Sequence, residues 1–99
     1  MTNPTYDALY FIKFFAAIPE ERWCRKAVHD NQGKSCAIGH CSKELEGLAL
    51  QAALCSTLGG RTVLYNDHKT RSYPQSTPKR RILAALRDVA CAQLTGEAE

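Results

Sequence analysis

Apolar residues in this chain fall mostly at helical spacing. Tyr6 to Ile18 is apolar almost all round, carrying Leu9, Tyr10, Phe11, Ile12, Phe14 and Phe15. A helix of that kind is either central or carries a partner surface. Thr5 is placed to cap it, Asp7 suits its positive first turn, and Pro19 stops it. Pro19-Glu20-Glu21 then reads as the opening of a second short helix, with Trp23 and Val28 facing inward. For the short stretch from Arg22 to His29 an extended path is the alternative.

Asp30 to Lys34 has turn composition. Ser35 or Ser42 can cap the helix that follows, in which Leu45, Leu48, Ala49, Ala52, Leu54 and Cys55 approximate an apolar stripe. Gly59-Gly60 would end it in left-handed conformation. Arg61 to Tyr65 is the one strand-like run, with Arg25 to His29 as its expected partner. Asn66 to Ser76 reads as a polar loop, long for so small a domain. Thr77-Pro78 opens a last helix with Ile82, Leu83, Leu86, Val89, Ala90 and Leu94 inward. The fold expected is mainly α, a compact bundle of three to four helices with a minor two-stranded β element; α+β is the alternative class.

Ninety-nine residues, 44% of them hydrophobic, suffice for one domain and one core, and a fraying tail is expected at 96–99. The net charge of +3 permits an anionic partner without requiring one. Five cysteines, at 24, 36, 41, 55 and 91, form no even framework. They read as reduced thiols of a cytoplasmic protein without a leader segment. The apolar run from Ala8 to Ile18 is broken by Lys13 and too short for a bilayer, so no membrane partner is expected.

Cys36-Ala37-Ile38-Gly39-His40-Cys41 concentrates two thiols and an imidazole in six residues. Three chemistries compete for it. Cys36, His40, Cys41 and His29, with Cys24 nearby, are soft ligands for zinc, but the spacing lacks a Cys-x-x-Cys knuckle. Cys36 or Cys41 with His40, His29 or His68 and with Asp67 would make a thiol nucleophile, its base and its orienting group; Cys36, His40 and Asp67 are the favoured set. Small cysteines also simply fill core gaps, and that is the reading preferred here, with no cofactor and no catalytic set.

Lys79-Arg80-Arg81 sits where the helix macrodipole disfavours cations by about 0.3–1 kcal/mol each. With Lys69, Arg71 and Tyr73 it forms the expected partner-binding set. After the strand, Asn66-Asp67 reads as a turn pair that bonds back to nearby backbone. Five of the eight aromatic residues precede residue 16, a supply of rings that could leave a docking patch uncovered.

The order Trp23, Gly33, Cys36-Ala37-Ile38-Gly39, a helix, Asn66-Asp67 and a closing helix resembles a family of small uncharacterised bacterial and phage domains. Its members carry a tryptophan segment before a Cys-x-x-Gly-Ala helix start and a Trp-Asn-Asp later. The resemblance spans Phe11 to Val89. It departs from the family at His40, where alanine is usual, and at Tyr65, where tryptophan is usual. It implies a compact, mostly helical domain and carries no activity. The function expected is therefore a small binding or accessory protein, of phage or mobile-element type, acting as inhibitor or adaptor on a larger protein, as monomer or homodimer. A zinc- or thiol-dependent enzyme and a nucleic-acid-binding module are the alternatives.

Overall fold

The fold is taken from a computed structural model that describes residues 6–42 and 47–94, with the side chain of Leu94 excluded. Five α-helices and one 3-10 turn are present among them: α1 (Ala8–Ala16), the turn Glu20–Arg22, α2 (Ala37–Ser42), α3 (Gly47–Thr57), α4 (Thr62–Asp67) and α5 (Pro78–Leu94). Helix α1 lies mainly on α5, α2 on α3, and α4 on α5. The radius of gyration, 13.2 Å, is that of a folded chain of about this length.

Helix α1 is capped by Asp7, whose Oδ1 accepts the Tyr10 amide at 2.9 Å. The expected cap Thr5 lies outside the described residues. Ala8, Phe11 and Phe15 face the core at i, i+3 and i+7, each fully buried. Full burial of a phenylalanine contributes about 1.5–3 kcal/mol. The rings continue as a chain: Phe11 on Phe15, Phe15 on Trp23, and Trp23 on His40 at a centroid distance of 4.8 Å. Trp23 is buried as expected, and its Nε1 donates to the Ile18 carbonyl at 3.3 Å. Val28, expected inward, is exposed.

Helix α5 follows its sequence pattern. Thr77 Oγ1 accepts the Arg80 amide, and Ile82, Leu83, Leu86 and Ala90 are buried. In α3 only Leu50 and Leu54 are buried; Leu48 is 83% exposed, and Leu45 lies outside the described residues. Gly59 and Gly60 end α3 at φ 65° and 78°, left-handed as the sequence predicts.

The expected hairpin does not form. Arg61 to Tyr65 is no strand, since Thr62 onward is helix α4. The β-like contacts gather instead on Ser35, which bridges Trp23 on one side and His29 on the other. Cys24 N donates to Ser35 O, Ser35 N to Arg22 O, and Cys36 N to Val28 O. Below them, Asp30 closes the turn by accepting the amides of Gln32 and Lys34. Those amide bonds, Lys34 first, hold its carboxyl below the usual carboxylate range.

Candidate functional site

Helix α4 has only six residues and could not persist alone. Its orphaned C-terminal carbonyls are taken by one side chain. Arg81 Nε donates to Tyr65 O at 2.7 Å and Nη2 to Asn66 O at 2.7 Å, while Nη1 reaches Gln75 O at 2.8 Å. Arg81 is 1% exposed. Burial, then the charge of Arg25, lowers its pKa from the ordinary guanidinium value, with Asp67 opposing. This cation is internal architecture and is withdrawn from the basic surface expected at 79–81.

Anchored in this way, Asn66 and Asp67 reach back to the middle of the chain. Asn66 Oδ1 accepts the Ala37 amide at 3.1 Å, in the first turn of α2, while the Ser35 hydroxyl pairs with His29; Ser42 is the last residue of α2, and the residues between it and α3 lie outside the described ones. Asn66 Nδ2 donates to Cys24 O at 3.0 Å and to Asp67 Oδ1 at 2.9 Å. The same Asp67 oxygen accepts the Lys26 amide at 2.9 Å. Asp67 is 8% exposed, and its Oδ2 takes no hydrogen bond among the described residues.

These bonds frame a pocket of about 230 Å³. Its lining is mostly apolar, with Val28, Ile38 and Val63 beside Cys36, Thr62, Asn66 and Asp67. The Thr62 hydroxyl is buried and makes no hydrogen bond. Two exposed apolar side chains mark this face: Val28 (48%) and Val63 (55%). Sequence reasoning singled out Cys36, Asn66 and Asp67. It missed Thr62 and Val63, because their β-branched side chains suggested a strand.

The candidate catalytic set is divided. Cys36 and Asp67 line the pocket, but His40 stands on the far side of α2, against Trp23 and a separate recess formed by Ala17, Ile18, Pro19 and Arg22. His29 is engaged by Ser35 at Nδ1 and Ser42 at Nε2, and His68 is exposed. Cys24, next to the site, donates its thiol to Ala27 O; burial, then Asp30, pushes its pKa up, which disfavours the thiolate. Among the described residues no three of His, Cys, Asp and Glu come together as a metal site, so His29, Cys36, His40 and Cys41 are not gathered around one point.

Lys79 and Arg80, the rest of the basic run, line a groove of about 330 Å³ together with Glu20 and Arg87. Glu20 pairs with Arg80 at 3.2 Å, and Lys79 Nζ donates to Ala16 O. Lys69 and Arg71 are exposed on the loop after α4. Tyr73 is turned inward onto Tyr65, with its hydroxyl donated to Asp88 at 2.7 Å. Among the described residues no helix is long and apolar enough to cross a membrane. No family model, curated protein or solved structure matches the chain.

Proposed function

We propose that this chain is a small accessory protein that docks on a larger protein through the face built by Val28, Ile38 and Val63. The observation that carries the reading is the exposure of Val28 and Val63 at the rim of an apolar recess whose frame is fixed by the hydrogen bonds of Asn66. Exposed apolar side chains clustered at a concavity are a usual mark of recognition surfaces. A rigid frame lowers the ordering cost of binding. The five unbridged thiols suit a reducing, cytoplasmic setting.

The basic groove is a weaker foundation, because Arg81 is internal and Glu20 offsets Arg80. Affinity capture tests the choice between the two faces. A protein retained by the wild-type chain should be lost with Val63→Asp and kept with Lys79→Glu combined with Arg80→Glu. Retention by Val63→Asp together with loss in the basic-face variant would move the contact to the groove and end this reading.

A further inference from the structure

Two of the five thiols are neighbours in register. Ser35 N donates to Arg22 O at 2.9 Å and Cys24 N donates to Ser35 O at 3.0 Å, which sets Trp23 opposite Ser35 in parallel alignment. One step further along both segments, Cys24 stands opposite Cys36. Adjacent strands lie about 4.8 Å apart, within the roughly 4.4–6.8 Å that separates the Cα atoms of a disulfide. The rung beyond the two cysteines is filled by a side chain. Asn66 Nδ2 donates to Cys24 O and Asn66 Oδ1 accepts the Ala37 amide, so one amide group holds the two segments together there.

Side chains alternate along extended backbone. Trp23 and Ser35, both buried, share one side, so Cys24 and Cys36 share the other, where Cys36 lines the pocket. Cys24 is half-buried and Cys36 is 7% exposed. Electrostatics agree with the register. After burial and Asp30, Cys36 is the next group that raises the Cys24 pKa, an effect that requires the two side chains to be close. The other three thiols belong to helices: Cys41 to α2, Cys55 to α3 and the exposed Cys91 to α5.

We propose that Cys24 and Cys36 form a reversible disulfide when the protein meets a low-molecular-weight disulfide such as glutathione disulfide. Cys24, the more exposed of the two, attacks one sulfur of the oxidant as its thiolate. The oxidant's S–S bond breaks, and one glutathione leaves with the proton that Cys24 gave up. Cys36, open to water through the pocket, then loses its proton and attacks the Cys24 sulfur, and the second glutathione leaves as a thiol. Two protein thiols and one glutathione disulfide thus give one protein disulfide and two glutathione thiols, with two electrons passing from the protein to the oxidant. A scarce Cys24 thiolate slows the first exchange without changing where the equilibrium lies. Closure removes the S–H that Cys24 donates to Ala27 O at 3.4 Å and engages a sulfur of the pocket wall. The redox state therefore reaches the docking face, although the bond itself does not depend on the docking reading.

The test is disulfide mapping of the full chain after incubation with glutathione disulfide. Remaining thiols are capped with N-ethylmaleimide before digestion and mass spectrometry. The native monomer is expected to lose two hydrogens, to link the peptides that carry Cys24 and Cys36, and to recover its mass with dithiothreitol. The same oxidation in denaturant should scatter the links among all five cysteines. Cys36→Ser should stop at a glutathione adduct on Cys24, and Cys24→Ser should leave Cys36 reduced. Amide NMR signals of the closed form should shift at residues 24–28 and 36–38 and hold still along α1 and α5.

Thiols that all stay free, a lasting glutathione adduct on wild-type Cys24, or a native link pattern like that in denaturant would overturn the inference. Links through Cys41, Cys55 or Cys91 in place of the pair would do the same. Shifts spread through α1 and α5 would show that the bond forms only when the fold opens, and would also overturn it. None of these outcomes changes the capture experiment with Val63→Asp, so the two readings fail separately.

Discussion

Asp67 holds Lys26 in a conformation that lysine ordinarily avoids. Lys26 sits at φ 66°, in the left-handed region, and its amide donates to Asp67 Oδ1 at 2.9 Å across a separation of 41 residues. A side chain with a Cβ costs about 1–2 kcal/mol there relative to the right-handed form. The bond that fixes this turn belongs to the same carboxylate that faces the pocket, so pocket geometry and backbone strain are tied together.

Lys26→Gly should therefore stabilise the protein by about 1 kcal/mol, because glycine adopts positive φ without that penalty while keeping the amide that Asp67 accepts. The gain is partly offset by the greater freedom of glycine in the unfolded chain. Chemical denaturation with an unchanged slope and a higher midpoint would show it. Asp67→Ala should shift the midpoint the other way, since the amides of Lys26 and the Asn66 side chain lose their acceptor.

Arg81 and Arg80 are adjacent in sequence and should respond to truncation by very different amounts. Arg81→Met would leave the carbonyls of Tyr65, Asn66 and Gln75 without their donor, at about 1 kcal/mol or more for each, so roughly 3 kcal/mol in all. Arg81→Lys should recover little of this, because an ammonium cannot reproduce the planar fork. Arg80→Ala removes an exposed ion pair with Glu20 and should cost under about 1 kcal/mol. Thermal denaturation of the three variants decides the matter, and equal losses at 80 and 81 would contradict the placement of the guanidinium.

Helices α1 and α5 were legible because their apolar residues recur at helical spacing and their stops are local: Pro19 for α1, and Thr77-Pro78 opening α5. Gly59 and Gly60 announced the end of α3 by the same local logic. Helix α4 was not legible. Thr62 and Val63 favour strands, and what makes the segment helical is the Arg81 fork closing its C-terminus from the next helix. Lysine 79 to arginine 81 read as one basic run because charge in a sequence carries no burial; the structure separates it into an internal residue and a surface pair. Cys36, Asn66 and Asp67 were marked as candidates by residue type, and all three line the pocket. His40, marked by its neighbours in sequence, does not join them, because α2 turns its ring towards Trp23.

Gly39 should tolerate no side chain. A Cβ there would overlap the Val28 carbonyl oxygen and crowd the Ser35 side chain. That carbonyl cannot readily move aside, since it accepts the Cys36 amide at 3.1 Å. Gly39→Ala should cost about 3 kcal/mol, in the range of overpacked sites, despite the better helix propensity of alanine. If the variant stays folded, Val28 is pushed outward and amide shifts should appear at residues 26–28. A stability equal to wild type would show that α2 does not pack against Val28 as described.

Tyr73 should make stability fall at high pH. Burial, then the hydrogen bond to Asp88 and the charge of that carboxylate, raises its pKa from the ordinary value to about 12. An unfolded tyrosine titrates near pH 10. The folded state therefore binds the proton more tightly, and the contribution of this pair is complete below about pH 10 and lost as pH rises towards about 12. Ring NMR signals of Tyr73 give the titration directly. Asp88→Asn removes the charge while retaining an oxygen acceptor, so it should move the midpoint part of the way back and leave the share due to burial. Tyr73→Phe should abolish this component of the pH dependence. A wild-type midpoint close to 10 would show that the phenol is not held by Asp88 in solution, and the loop after α4 would keep only the Arg81 bond to Gln75 O as its polar tie to α5.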